Sequence, residues 1–157
     1  MQSTLELKPI HTVECDAAIL VAFEGQAGEG LPDIVKELYE SKEFSGKSLE
    51  VALLHRPPGM KAKRLLLVGG GKSEKFTSAD LRKAAGAAVR HLKSKSLRSA
   101  AMLLEGSHAS ADHVEAALEG AILGDFDPDA LKSEKKNGGR LEQFTVLVPG
   151  EIGRAHV

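Results

Sequence analysis

The chain has 157 residues, a mass of 16.7 kDa and a formal charge of −1, from 21 Lys and Arg against 22 Asp and Glu. That is one ordinary domain with a core of its own. Hydrophobic residues at 42% and charged residues at 27% exclude a disordered chain, and the near-neutral balance gives no basic field for nucleic acid or an anionic membrane.

Thr4–Lys8 alternates polar and apolar residues, as a half-buried strand does. Ala17–Phe23 (AAILVAF) is a continuous apolar run and reads as a central strand covered on both faces. Gly25, Gly28 and Gly30 break the pattern, so Glu24–Gly30 is a loop. Leu31–Lys42 reads as a helix, with Pro32 in its first turn and Ile34, Val35, Leu38 and Tyr39 on one face. Leu49–Leu54 and Arg64–Val68 are strands joined through His55-Arg56-Pro57-Pro58-Gly59, which predicts a hairpin. Gly69-Gly70-Gly71-Lys72 follows.

Thr77–Lys95 carries the clearest helical pattern. Thr77 or Ser78 caps it, with Asp80 in the first turn, and Leu81, Ala84, Ala85, Ala88, Val89 and Leu92 form one thin apolar stripe. Ala100–Leu104 is a short strand. Ser110 caps a helix over Ala111–Gly124 that faces Val114, Ala117, Leu118 and Ala121 inward and stops at Gly124. Asp125–Gly139 is polar and turn-rich, and Leu141–Val148 is the last strand. Strands alternating with helices predict an α/β sandwich with a mixed, mostly parallel sheet.

The last seven residues, EIGRAHV, lack periodicity and back-translate to GAG ATC GGA AGA GCA CAC GTC, which resembles a common sequencing adapter. The expectation is a domain over residues 1–150 and an artefactual or unstructured tail over 151–157, with the natural protein continuing beyond it.

The candidate chemistry is incomplete. Gly71-Lys72-Ser73 ends like a phosphate-binding loop, but Leu66 stands where its first Gly belongs; the dinucleotide fingerprint fails at Glu74. The glycines are expected only to turn the chain out of a strand. His108 and His113 lie five apart rather than the four that a shared helix face needs, so the pair is expected to diverge on the surface. His11 and His55 lack a partner, and His91 is expected to be solvated. Cys15, the only cysteine, excludes an internal disulfide and reads as a small core residue. Glu105-Gly106-Ser107-His108 reads as a turn closing a strand. The basic groups Lys61, Lys63 and Arg64, then Lys93, Lys95 and Arg98, then Lys132, Lys135 and Lys136 read as solvated faces. No signal-peptide core and no run of ~18 apolar residues occurs, which points to the cytosol.

Two stretches carry a resemblance. RLLLVGGGKSEKFTSADLRKAAGAAVRHLK (Arg64–Lys93) and GAILGDFDPDALKSEKK (Gly120–Lys136) resemble the N-terminal domain of the cytosol (leucyl) aminopeptidase family, the M17 metallopeptidases. Gly120, Leu123, Gly124, Phe126, Lys132 and Ser133 match that family's G-x-x-L-[GA]-x-[YF]-x-F-[DT]-x-Y-K-[ST] pattern, with Pro128 and Leu131 departing from it. The likeness implies a macro-domain-like, three-layer α/β fold that helps assemble a hexamer. It implies a full protein that removes N-terminal residues, preferentially leucine, using two divalent ions, zinc or manganese. The metal ligands and catalytic Arg of the family belong to a C-terminal catalytic domain, and their motif is not found here. No catalytic, cofactor-binding or metal-ligating residue is therefore assigned, no cofactor is expected in this piece, and it is expected to be inactive alone. The alternative is a free-standing macro-like module for ADP-ribose or a related nucleotide, with Gly69–Lys72 or Glu105–His108 as its phosphate turns.

Overall fold

The computed structural model describes residues 1–25, 33–126 and 140–149. Its six-stranded sheet is formed by β1 (Gln2–Glu6), β2 (Ala17–Phe23), β3 (Val51–His55), β4 (Arg64–Gly71), β5 (Ser99–Leu103) and β6 (Gln143–Leu147), in the order β1-β6-β5-β2-β4-β3. All neighbours are parallel except β3 and β4, whose antiparallel pairing is the expected hairpin. The first strand lies earlier than expected, at Gln2–Glu6, on the sheet's edge against β6.

The sheet is buried on both sides because β2 is apolar at every position and β4 and β5 are apolar after their first residues. From β2, Ala17 and Ile19 enter one core, and Ala18, Leu20 and Ala22 the other. Leu66 and Val68 of β4 join the first; Leu65 and Leu67 join the second. Helices α2 (Ser78–Ser94) and α3 (Ala111–Asp125) cover the first face, while α1 (Asp33–Ser41) covers the other with Val35. This is the mixed α/β sandwich that the pattern predicts, in the three layers that the resemblance implies.

The caps fall where the residues place them. Thr77 Oγ1 accepts the Asp80 N–H at 3.2 Å, and Asp80 Oδ2 accepts the Thr77 N–H at 2.9 Å, a reciprocal capping box. Ser110 caps α3 by accepting from the His113 N–H.

Gly124 does not end α3, which runs on to Asp125. It is buried where α3 crosses α2, and a β-carbon there would lie 2.6 Å from the Gly86 carbonyl oxygen. At Gly120 the same atom would lie 2.1 Å from the Arg82 carbonyl oxygen. Glycine lets the two helix backbones approach this closely, so packing explains both positions and chain termination explains neither.

Asp125, placed by its sequence context in a polar turn, is 1% exposed. Its Oδ2 accepts from Arg140 Nη2 at 3.0 Å and Nε at 3.2 Å, and its Oδ1 accepts the Leu141 N–H at 2.8 Å. Lys93 Nζ stands 3.8 Å from the carboxylate and donates to the Asp125 carbonyl at 2.6 Å. One carboxylate thus joins the ends of α2 and α3 to the entry of β6.

Candidate functional site

In open parallel sheets, ligands bind in the crevice beyond the carboxyl ends of the strands. Here that end is formed by Phe23 closing β2, the glycines of β4, a 3-10 turn at Ser73–Lys75, and a second one at Gly106–His108 after β5. The expectation that Glu105–His108 closes its strand is met: His108 N–H donates to Glu105 O at 3.0 Å.

The glycines are not the turn out of the strand that the sequence predicts; all three instead belong to β4, and only the last, Gly71, takes the positive φ of a turn. Gly69 and Gly70 are small because other segments press on them, whereas Gly71 is glycine because its φ is +75°. A β-carbon at Gly69 would meet Lys47 O at 1.8 Å, and one at Gly70 would meet the Phe23 ring at 2.5 Å. Gly69 N–H donates to Glu50 O at 2.7 Å, and Gly71 N–H to Gly46 O at 2.8 Å. These amides are committed to the neighbouring turn and are not presented to a phosphate.

That turn is itself organised by a carboxylate. Glu50 Oε1 accepts from the N–H groups of Ser45, Gly46 and Lys47 and from the Ser45 hydroxyl, at 3.1 to 3.2 Å. Partial desolvation pushes the Glu50 carboxyl up, but the hydrogen bonds from Ser45, Lys47 and Gly46 outweigh it and hold it below the usual carboxylate range.

His108 and His113 do not diverge. Their ring centroids lie 5.5 Å apart, and His108 also packs on Phe23 at 5.3 Å and Phe76 at 5.1 Å. Phe23 and Phe76 meet edge-on at 5.1 Å. The spacing argument failed because His108 sits on a 3-10 turn, so the fold, rather than a shared helix face, brings the rings together. Ser110 Oγ is 2.7 Å from His113 Nδ1, and His113 Nε2 is buried without a hydrogen-bond partner among the described residues. Burial, then the neighbouring His113, lowers the His108 pKa against a hydrogen bond to the Ser73 backbone that raises it. The cluster leaves a crevice of only about 40 Å³, between Phe23, Phe76, Leu103, Glu105 and His108.

The other candidates disperse. Cys15 is half-buried and donates from Sγ to Ala17 O at 3.2 Å. Burial is the main reason its pKa is pushed up to about 11, so it is a protonated thiol and a poor nucleophile at neutral pH. His11 and His55 are exposed. His91 is half-buried rather than solvated, and desolvation followed by nearby Lys95 lowers its pKa. Of the basic groups, Lys63 pairs with Asp16 at 3.7 Å, Arg98 with Glu142 at 2.7 Å, and Lys93 with Asp125, while Lys61 and Lys95 are exposed. Lys93 is 13% exposed and so is not part of a solvated face. Lys132, Lys135 and Lys136, the motif positions Pro128, Leu131 and Ser133, the loop glycines Gly28 and Gly30, Pro32 and the tail 151–157 lie outside the described residues.

Among the described residues, no group of three or more His, Cys, Asp or Glu side chains converges to hold a metal ion. The nearest approach is two imidazoles against two phenyl rings. That donor set does not fit a two-metal hydrolytic centre, which needs several carboxylates around the ions.

Residues 16–135 match the model of the cytosol aminopeptidase family, N-terminal domain. A probable cytosol aminopeptidase of Solibacter usitatus is 44% identical over 148 residues, covering 93% of this chain and 30% of the relative. One from Koribacter versatilis is 39% identical, covering 87% of this chain and 32% of the relative. The chain therefore spans about a third of the length of these curated relatives. Among solved structures, a tomato leucine aminopeptidase mutant superposes with a TM-score of 0.73 at 24% identity, over 98% of this chain and 34% of that one. An Oceanobacillus iheyensis macrodomain mutant superposes at 0.64 and 15% identity, over 96% of this chain and 86% of that one. At these identities the two superpositions speak for the fold alone.

Proposed function

Because the chain belongs to the cytosol aminopeptidase family, as its N-terminal domain, we propose that it is the non-catalytic part of a metal-dependent aminopeptidase. In this reading, residues 1–150 are a scaffold for assembly, up to a hexamer. A C-terminal domain of the same polypeptide holds two divalent ions, zinc or manganese, and removes N-terminal residues, preferentially leucine, in the cytosol. No helix among the described residues is long and apolar enough to cross a membrane.

The observation that carries this reading is the pairing of a family match over residues 16–135 with the lack of a convergent ligand set among the described residues. A hydrolase of this kind needs an ion to lower the pKa of water and to polarise the scissile carbonyl. The side chains described here would not hold one. The test is to incubate the purified 157-residue chain with leucyl-p-nitroanilide and Mn²⁺ or Zn²⁺, beside the complete product of the source gene. The short chain is expected to be inactive, and the complete product active and sensitive to chelation. Chelator-sensitive hydrolysis by the short chain would overturn the reading.

The nucleotide-module alternative is not favoured. Pockets for small molecules run to roughly 300–1,000 Å³, whereas among the described residues the crevice that Phe23, Phe76 and His108 line at the strand ends is about 40 Å³. Calorimetric titration with ADP-ribose is expected to show no saturable binding.

A further inference from the structure

We propose that the exposed apolar surface at the C-terminal end of α3, formed by Ile122 and Leu123 of the helix and Phe126 that caps it, is the surface on which the catalytic domain of the same polypeptide rests. The inference depends on the reading that such a domain follows this one, and it names the place where the two meet.

The argument begins with the helix. An amphipathic surface helix has one apolar stripe and an opposite polar face. The inner side of α3 is already satisfied, with Ala116, Ala117, Gly120, Ala121 and Gly124 buried against α2 and the sheet. Yet Ile122 is 55% exposed, Leu123 63% and Phe126 64%. Glu119, Ile122 and Leu123 fall at i, i+3 and i+4, on one helix face, and Phe126 follows as the residue capping the helix's C-terminus. Glu119 is ion-paired to Arg82 of α2 at 3.0 Å, giving the stripe a charged rim. A helix that is apolar on both sides is suited to being covered on both sides. The other large exposed apolar residues, such as Leu49 and Val51, lie outside the helices.

Area decides the occupant. Three partly exposed apolar side chains offer roughly 300 Å², against about 800 Å² per partner in a standard stable complex. A free second copy would be held poorly by so little. A tethered domain needs far less, because linkage makes docking intramolecular at an effective concentration of about millimolar. The curated relatives supply such a tethered mass: this chain accounts for only 30% and 32% of their lengths.

The test is hydroxyl-radical footprinting of Ile122, Leu123 and Phe126, read by mass spectrometry, in the 157-residue chain and in the complete product of the source gene. Labelling is expected to be about tenfold slower in the complete product, as for groups that react only on local opening. Leu123→Lys should leave the melting temperature of the short chain unchanged and restore Phe126 labelling in the complete product. Equal labelling in both proteins would overturn the docking assignment, while chelator-sensitive aminopeptidase activity of that same complete product would keep the functional reading. Protection that grows with concentration of the short chain would assign the stripe to a second copy and overturn the tethered domain. A source gene with no downstream domain would overturn both.

Discussion

Gly120 of α3 lies against the carbonyl oxygen of Arg82 on α2 so closely that a β-carbon would stand 2.1 Å from it. Gly124 meets Gly86 in the same way at 2.6 Å, while a β-carbon at Gly86 would lie 3.2 Å from Gly120 O. Alanine would gain about 1 kcal/mol of helix propensity at each site. At Gly120 and Gly124 it must also drive two backbones apart, and overpacking costs about 1–3 kcal/mol, sometimes more. Gly120→Ala is therefore expected to destabilise most, Gly124→Ala next and Gly86→Ala least. Urea unfolding midpoints give the order, and a stabilised Gly120→Ala would show that the helices can separate at no cost.

Asp125→Ala is expected to cost about 3–5 kcal/mol, the range for removing one partner of a buried ion pair. The loss falls on Lys93, which is 13% exposed and would lose the carboxylate 3.8 Å away while keeping the backbone carbonyl it donates to, and on the Leu141 N–H that the carboxylate accepts. Arg140 is 61% exposed and would return to water at little cost. The double variant Asp125→Ala with Lys93→Met should recover part of the stability, which thermal melts would read directly. No recovery would mean that the hydrogen bond to Leu141, rather than the charge on Lys93, carries the effect.

How far the sequence could be read follows from range. Local signals were legible: the Thr77 and Ser110 caps, the hairpin at Pro57–Gly59, and the uninterrupted apolar run of β2 each declare themselves within a few residues. What was misread is non-local. Gly124 looks like a helix stop until Gly86 of the neighbouring helix is known, and Gly69 looks like a turn until Lys47 is placed on it. His108 and His113 seemed unrelated because only the 3-10 turn at Gly106–His108 brings them together. Asp125 reads as a polar loop residue because Lys93 and Arg140 reach it from other parts of the chain. Family likeness was legible because the motifs themselves are local.

The imidazole cluster makes stability depend on pH near neutrality. Burial is the main cause lowering the His108 pKa from its ordinary 6.5, so the folded state binds its proton less readily than the unfolded chain. The sign follows: this contribution is complete above about pH 6.5 and is lost as pH falls below it. His91, also lowered mainly by burial, acts in the same direction. Urea stability measured from pH 8 to pH 5 should decline, and His108→Gln should flatten the decline without removing it. An unchanged slope in that variant would place the titration elsewhere.

At lower pH the carboxylate of Glu50 takes over. Its hydrogen bonds hold it below the usual carboxylate range despite desolvation, so the folded state favours the ionised form. The stability it contributes is present above about pH 4.5 and is lost as pH falls through the lowered folded value. Glu50→Gln keeps an acceptor oxygen but no charge. It should therefore cost about 1 kcal/mol at neutral pH, the net contribution of one ordinary hydrogen bond. It should also move the acid-unfolding midpoint less than that of the parent chain when salt is varied. The turn matters beyond itself because Glu50 O and Gly46 O accept from the Gly69 and Gly71 amides of β4. Hydrogen exchange at those two amides should speed up in Glu50→Ala and stay slow in the parent. Equal protection in both would mean that β4 holds the turn in place, and that the carboxylate does not.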